Sequence, residues 1–210
     1  MDHLIIGILV LASIVGLTFI IERGLALRVK KVIPPEVKSA LSSCQSDSDL
    51  AVLRKMCEMH PSPFSRLIVF AEAHCYWPKS ENVAALETHA RHEISKLERG
   101  LVVLEIVVGI APLLGLVGTI YGLILLFATM GDTGPSNSGD LARGIATALY
   151  ATLLGLLTAI PSLVAWSYYN KKVETFAVEM AALCEDFLRQ QYHSKQKTTQ
   201  VQENTVPRQK

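Results

Sequence analysis

Thr119 and Thr152 each sit in a long uncharged stretch of the sequence beside a run of small residues, and Thr147 and Thr158 share the second of these stretches. A hydroxyl donates once and accepts twice, so several on faces that meet other helices could line a polar path for an ion. Any one of them could equally bond back to the carbonyl four residues earlier in its own helix. Glu105 immediately precedes the first stretch and lies seven residues before Pro112, roughly 10 Å along a helix axis. An acid there is either an exit relay at the mouth of a membrane path or a solvated charge at a helix end. Gly115, Gly118 and Gly122 form one stripe of small residues, and Gly144, Ala148, Ala151, Thr152, Gly155 and Ala159 form another. Such stripes let helix backbones approach closely where lipid supplies no hydrophobic drive between helices. Pro112 and Pro161 each remove a backbone hydrogen bond, which bends a helix passively or gives it a hinge.

The elements that must carry these residues are membrane helices. Of 210 residues, 50% are hydrophobic and 19% charged, against about 25% charged in an ordinary soluble domain. Residues 4–21 are uncharged over 18 positions, 106–130 over 25 and 144–169 over 26, where a crossing helix needs roughly 20. Met-Asp-His, not a basic segment, precedes residues 4–21, and Glu22-Arg23 follow in place of a small-residue cleavage site, so the run reads as a permanent span and not a signal peptide. Of the 20 Lys and Arg, 12 lie between spans one and two, 7 after span three and 1, Arg143, between spans two and three. The positive-inside rule then puts the N-terminus and the connection after span two outside, and the long middle segment and the C-terminal tail in the cytoplasm. All four cysteines, Cys44, Cys57, Cys75 and Cys184, fall in a reducing compartment, consistent with the lack of a CxxC pair.

Pro34-Pro35, Pro61, Pro63 and Pro78 divide the cytoplasmic segment into several helices. Val83, Leu86, Ala90, Ile94, Leu97, Leu101 and Leu104 recur at spacings of 3 and 4, a stripe expected to run without interruption into span two. Val173, Phe176, Ala177, Met180, Leu183, Cys184, Phe187 and Leu188 repeat that pattern after span three. The fold expected is all-α, with three transmembrane helices and spans two and three extended into a cytoplasmic helical bundle. Its boundaries are a first transmembrane helix over 1–28, a cytoplasmic helical segment over 29–99, a second transmembrane helix over 100–130, an external loop over 131–143, a third transmembrane helix over 144–170, a cytoplasmic helix over 171–192 and a disordered tail over 193–210.

Other chemistry has little footing. A net charge of +1 argues against nucleic acid as a partner. Cys57, Glu58 and His60, His74 with Cys75, and His89 with His92 contain metal-ligand types, but at no structural-zinc spacing, so no metal site is expected. Walker A, GxSxG and HExxH motifs are missing, which leaves nucleotide hydrolysis and hydrolase chemistry without a starting point. No cofactor is called for, and energy would come from an ion gradient.

The run Ala111-Pro112-Leu113-Leu114-Gly115-Leu116-Val117-Gly118-Thr119, continuing to Gly122 and Phe127, resembles the signature of the ExbB/TolQ/MotA proton-channel family in its ExbB/TolQ branch. Gly144-Ile145-Ala146, Ala148-Leu149, Ala151-Thr152, Gly155-Leu156 and Ala159-Ile160-Pro161 resemble its third-span signature, and Ile21-Glu22-Arg23 matches its pattern after the first span. The resemblance implies a proton-channel-forming subunit of an inner-membrane motor, not an enzyme, which couples the proton gradient to energised transport or force transfer across the envelope, as in TonB-ExbB-ExbD or Tol-Pal systems. It implies a pentamer in lipid whose second and third spans surround single-span partners of the ExbD/TolR type, which in turn act on a TonB- or TolA-like protein. The partner's intramembrane aspartate would carry the proton, with Thr119 and Thr152 as a polar ring around it.

Many ExbB and TolQ chains carry a glutamate at the position matching Thr147; here the threonine can hydrogen-bond water or a carboxyl but cannot titrate. Two rivals differ in kind. A flagellar-type stator subunit usually has four spans and a longer chain, and a membrane scaffold would have a dry, fully packed helix interface.

Overall fold

The computed structural model of the chain describes residues 2–44, 47–133 and 138–205. Among them lie eight helices and no strand: α1 (Asp2–Ala26), α2 (Val29–Val32), α3 (Pro35–Ser42), α4 (Asp47–Met59), α5 (Pro63–Ala73), α6 (Lys79–Glu98), α7 (Leu101–Thr133) and α8 (Ser138–Thr205). They form two compact units, Met1–Ala26 with Glu98–Lys171 and Leu27–Leu97 with Lys172–Lys210.

The first unit is the membrane unit. Stretches of α1, α7 and α8 are each long and apolar enough to cross a bilayer, so the chain is an all-α multi-pass membrane protein. Leu11, Ile14 and Leu17 on α1 and Leu113, Val117 and Ile120 on α7 point outward and exposed, as lipid or other membrane helices require of the surface they cover. Inside, small residues set the spacing. A β-carbon on Gly16 of α1 would stand 3.0 Å from the Ser162 hydroxyl of α8 and 3.5 Å from Val107 of α7. Lower on α1, Tyr169 donates its hydroxyl proton to the Ile20 carbonyl at 2.9 Å and lies across Gly24.

α7 does not continue α6. Residues 99 and 100 turn between them, which corrects the uninterrupted stripe expected from Val83 to Leu104. Gly100, a poor helix former that the periodicity passed over, stands in that turn with the Arg23 guanidinium over it, a β-carbon there lying 2.2 Å from Nε. Arg23 also chelates the neighbouring Glu22 carboxylate through Nε at 2.8 Å and a terminal nitrogen at 2.6 Å. α7 and α8 take in both ends of the 131–143 loop, leaving 134–137 outside the described residues. α8 runs on to Thr205, past the boundary expected at 192, and 206–210 lie outside the described residues; 193–205 holds three Gln and two Lys and neither proline nor glycine.

In the second unit, proline and serine punctuate the helices. Pro63 starts α5, and the Ser62 side chain caps it by accepting the Ser65 amide at 3.0 Å. The face of α8 read from the sequence is the buried one here: Val173, Phe176, Met180, Cys184, Phe187 and Leu188 are all in the core. At its far end the Tyr192 hydroxyl donates to the Trp77 carbonyl at 2.8 Å and accepts from the Asn82 amide at 3.2 Å.

The sequence stripe on α6 missed a charge. Glu93 is 1% exposed, and Arg66 of α5 holds one of its oxygens (3.0 and 2.5 Å) while Lys96 holds the other (2.8 Å). Burial would raise its pKa; the two cations outweigh burial and hold it below the usual carboxylate value. A depressed native pKa stabilises the fold above the unfolded pKa of about 4.3, and that contribution is lost as pH falls through the lower native value. Glu93→Gln is therefore expected to lower thermal stability at neutral pH by on the order of 1–3 kcal/mol, with the difference from wild type closing below about pH 4. Melting of the detergent-solubilised protein, followed by circular dichroism across pH, checks this.

Candidate functional site

The polar centre of the membrane unit is built where α7 and α8 nearly touch. A β-carbon on Gly115 would lie 2.8 Å from the Ala151 carbonyl oxygen and 3.0 Å from the Thr152 Cα. One on Gly155 would lie 2.6 Å from the Ala111 carbonyl oxygen. Gly118 and Gly122 face the methyl groups of Ala151 and Ala148 in the same seam. Only glycine opposite small residues permits this spacing.

Thr119 and Thr152 come together in that seam and their hydroxyls hydrogen-bond each other. Each also reaches across to the other helix. Thr152 donates to the Gly115 carbonyl at 3.2 Å, and Thr119 can donate to the Ala148 carbonyl at 3.2 Å or back to Gly115 at 3.2 Å. Gly115 is four residues before Thr119 and Ala148 four before Thr152, so each threonine meets the carbonyl beneath its partner. The centre thus contains four oxygens, two of them backbone, and both hydroxyls are half-buried. The two carbonyls were missed from the sequence, although the i−4 relation that supplies them is legible there.

The remaining sequence candidates lie elsewhere. Thr147 is exposed and donates back to the Arg143 carbonyl at 2.9 Å, the bond any single helical threonine can make. With Arg143, Tyr150, Gly118 and Gly122 it lines a cavity of about 630 Å³. Glu105 is exposed on the face of α7 that also presents Val102 and Ile106. Pro112 and Pro161 lie inside α7 and α8, both of which stay helical through them. In the second unit His89 stacks on Phe70 with ring centroids 4.6 Å apart, and His74 packs on the same ring at 4.3 Å. Cys57 is a buried thiol pushed up to about 11 by burial, with the Glu72 charge adding to it, so it is protonated and unreactive at neutral pH.

Residues 77–182 match the family described as the MotA/TolQ/ExbB proton channel family, a segment that holds α7, the seam and the membrane part of α8. The chain belongs to that family. Relatives include the biopolymer transport protein ExbB-like 3 of Synechocystis, 31% identical over 72% of this chain and 73% of its own length. The Tol-Pal system protein TolQ of Pseudomonas aeruginosa is 29% identical over 86% of each chain. An ExbB homologue of Methanothermobacter thermautotrophicus is 30% identical over 70% of this chain, which spans only 52% of that relative. As a MotA/TolQ/ExbB member, this chain is a channel-type membrane protein with its hydroxyl pair inside the matched segment.

The seam can present donors and acceptors inside an uncharged membrane segment, and backbone spacing holds them in place. Gly155→Ala forces a methyl group against the Ala111 backbone, which cannot swing aside as a side chain would, at an expected cost of about 1–3 kcal/mol. Gly109→Ala, with nothing within 4 Å, should be neutral or slightly stabilising. Thermal-shift measurement of both variants in mild detergent checks the contrast.

Proposed function

We propose that this chain is the proton-channel-forming subunit of an ion-driven motor in the bacterial inner membrane, not an enzyme, coupling the proton gradient to energised transport or force transfer across the envelope. The reading rests on one observation: the Thr119–Thr152 pair is the polar centre of a membrane unit whose α7 and α8 carry no charged residue over 106–130 and 144–169. A proton crossing there needs a carrier, and a carboxyl on a partner helix supplies one. Such a group is costly in a membrane unless it is neutral or in polar company, and the hydroxyl pair is that company. The carrier belongs to a single-span ExbD/TolR-type partner, which works on a TonB- or TolA-like protein, and several copies of this chain surround it. Exposed Leu113, Val117 and Ile120 on α7 and Leu153, Leu157 and Ile160 on α8 provide apolar surface for those neighbours. The N-terminus faces out and the second unit faces the cytoplasm, as the 19 to 1 split of Lys and Arg favours.

Native mass measurement in mild detergent is expected to give five copies of this chain; a stable monomer or dimer would count against the motor.

Vesicles containing the chain with its single-span partner should pass protons down an imposed pH gradient, and vesicles with this chain alone should not. A complex that passes none would favour the scaffold. In the same vesicles Glu105→Gln should cost less than a factor of two, because the residue is exposed at the end of the span and acts as a solvated charge. A large loss rescued by Glu105→Asp would make it an exit relay instead.

A further inference from the structure

Several cations of the described residues have an acid at hand. Arg23 is taken by Glu22, Lys38 of α3 by Glu179, Arg66 and Lys96 by Glu93, and Arg54 and Arg91 by acids four residues away on their own helices. Arg28, Lys30 and Lys31 differ. All three are exposed, none has a carboxylate partner among the described residues, and no acid stands between Glu22 and Glu36 in the sequence to offer one.

Their backbone is held in place. α2 is a single turn in which the Lys31 amide donates to the Arg28 carbonyl at 2.8 Å and the Ile33 amide to the Val29 carbonyl at 2.8 Å. Val32, Ile33 and Pro34 are buried and fix that turn to the second unit, which leaves Val29 more than half exposed between Arg28 and Lys30. An apolar side chain held out beside cations suits a bilayer interface, where the apolar group enters beneath the headgroups and the charges stay among the phosphates. Connectivity supplies the place: the apolar span of α1 runs to Ala26, and Val29 follows three residues on, within about 11 Å of the span's end. The headgroup layer on one side of a bilayer is about 5–8 Å deep, so α2 starts in it or at its edge.

We propose that Arg28, Lys30 and Lys31, with Val29 inserted among them, form a binding surface for the phosphate groups of anionic phospholipids in the leaflet where α1 ends. The attraction adds over the three cations and fades within a Debye length, about 8 Å in physiological salt. Lipid capture there needs no proton flux and holds whichever way the chain is oriented, so it stands or falls separately from the channel.

The test counts, by native mass, the lipids retained by the full chain from detergent micelles with equal amounts of phosphatidylglycerol and phosphatidylcholine. Wild type should keep phosphatidylglycerol in preference. Replacing the three cations together (Arg28→Gln, Lys30→Gln, Lys31→Gln) should lower its retention by about tenfold at unchanged helicity and copy number. A matched variant, Lys55→Gln with Lys79→Gln and Arg91→Gln, removes the same charge from exposed positions elsewhere in the second unit and should retain lipid as wild type does. Where the first variant fails to fold, wild type at about 1 M ionic strength, with a screening length of about 3 Å, decides the matter: its preference for phosphatidylglycerol should collapse. Equal retention of both lipids by wild type, equal loss in the two triple variants, or a preference that survives high salt would each overturn the proposal. So would a glutamine variant that changes copy number while keeping its lipid, which would make α2 a contact between copies.

Discussion

The backbones of α7 and α8 approach so closely at Gly115 and Gly155 that neither position has room for a β-carbon. The polar chemistry of the membrane unit depends on that approach. A threonine hydroxyl is short, and at the usual 8–10 Å between helix axes it would find its own i−4 carbonyl before it found another helix. Thr147 and Thr158 do bond back in that way, to Arg143 and Leu154. Thr119 keeps that local bond only as one option, and Thr152 makes none, because glycine and alanine bring a foreign carbonyl within 3.2 Å of each hydroxyl. Helix packing and a polar centre are thus consequences of one set of small residues, and the packing comes first.

The two units handle burial of polar groups in opposite ways. The second unit buries a full charge, Glu93, and offsets its desolvation with Arg66 and Lys96. That solution fixes a single protonation state, which suits a structural tie between α5 and α6. In the membrane unit the spans over 106–130 and 144–169 carry no charge, and their centre consists of neutral hydroxyls and carbonyls. Neutral groups that both donate and accept can accommodate a carboxyl in either state, as ion pairing with a fixed cation cannot.

Much of this was legible in the sequence because it follows from uncharged length and periodic small residues. The three spans, the buried face of α8 beyond the membrane and the meeting of the two glycine-bearing stripes all follow from residue type and spacing. The turn at residues 99–100 did not, since a stripe of apolar spacings continues across Gly100, and the Arg23 guanidinium that lies over that glycine comes from a helix about 75 residues earlier. Glu93 was missed because it occupies a buried position on α6 where periodicity calls for an apolar residue, and its partner Arg66 lies 27 residues earlier. At the end of α8 a polar segment without an apolar face reads as unstructured, although its Lys and Gln favour helix and the helix runs on to Thr205. The carbonyls of Gly115 and Ala148 belong to the backbone, and no residue type advertises them.

The central claim is that the hydroxyl pair, not merely the packed seam, lets a proton cross. The most direct measurement is proton flux in vesicles bearing the complete complex with Thr119 and Thr152 both replaced by valine. Valine matches threonine in shape, so the seam and the oligomer should persist by native mass while the hydroxyls are gone. Flux lost by at least tenfold at unchanged assembly is the predicted result. Flux at the wild-type level in the intact double variant would contradict the account.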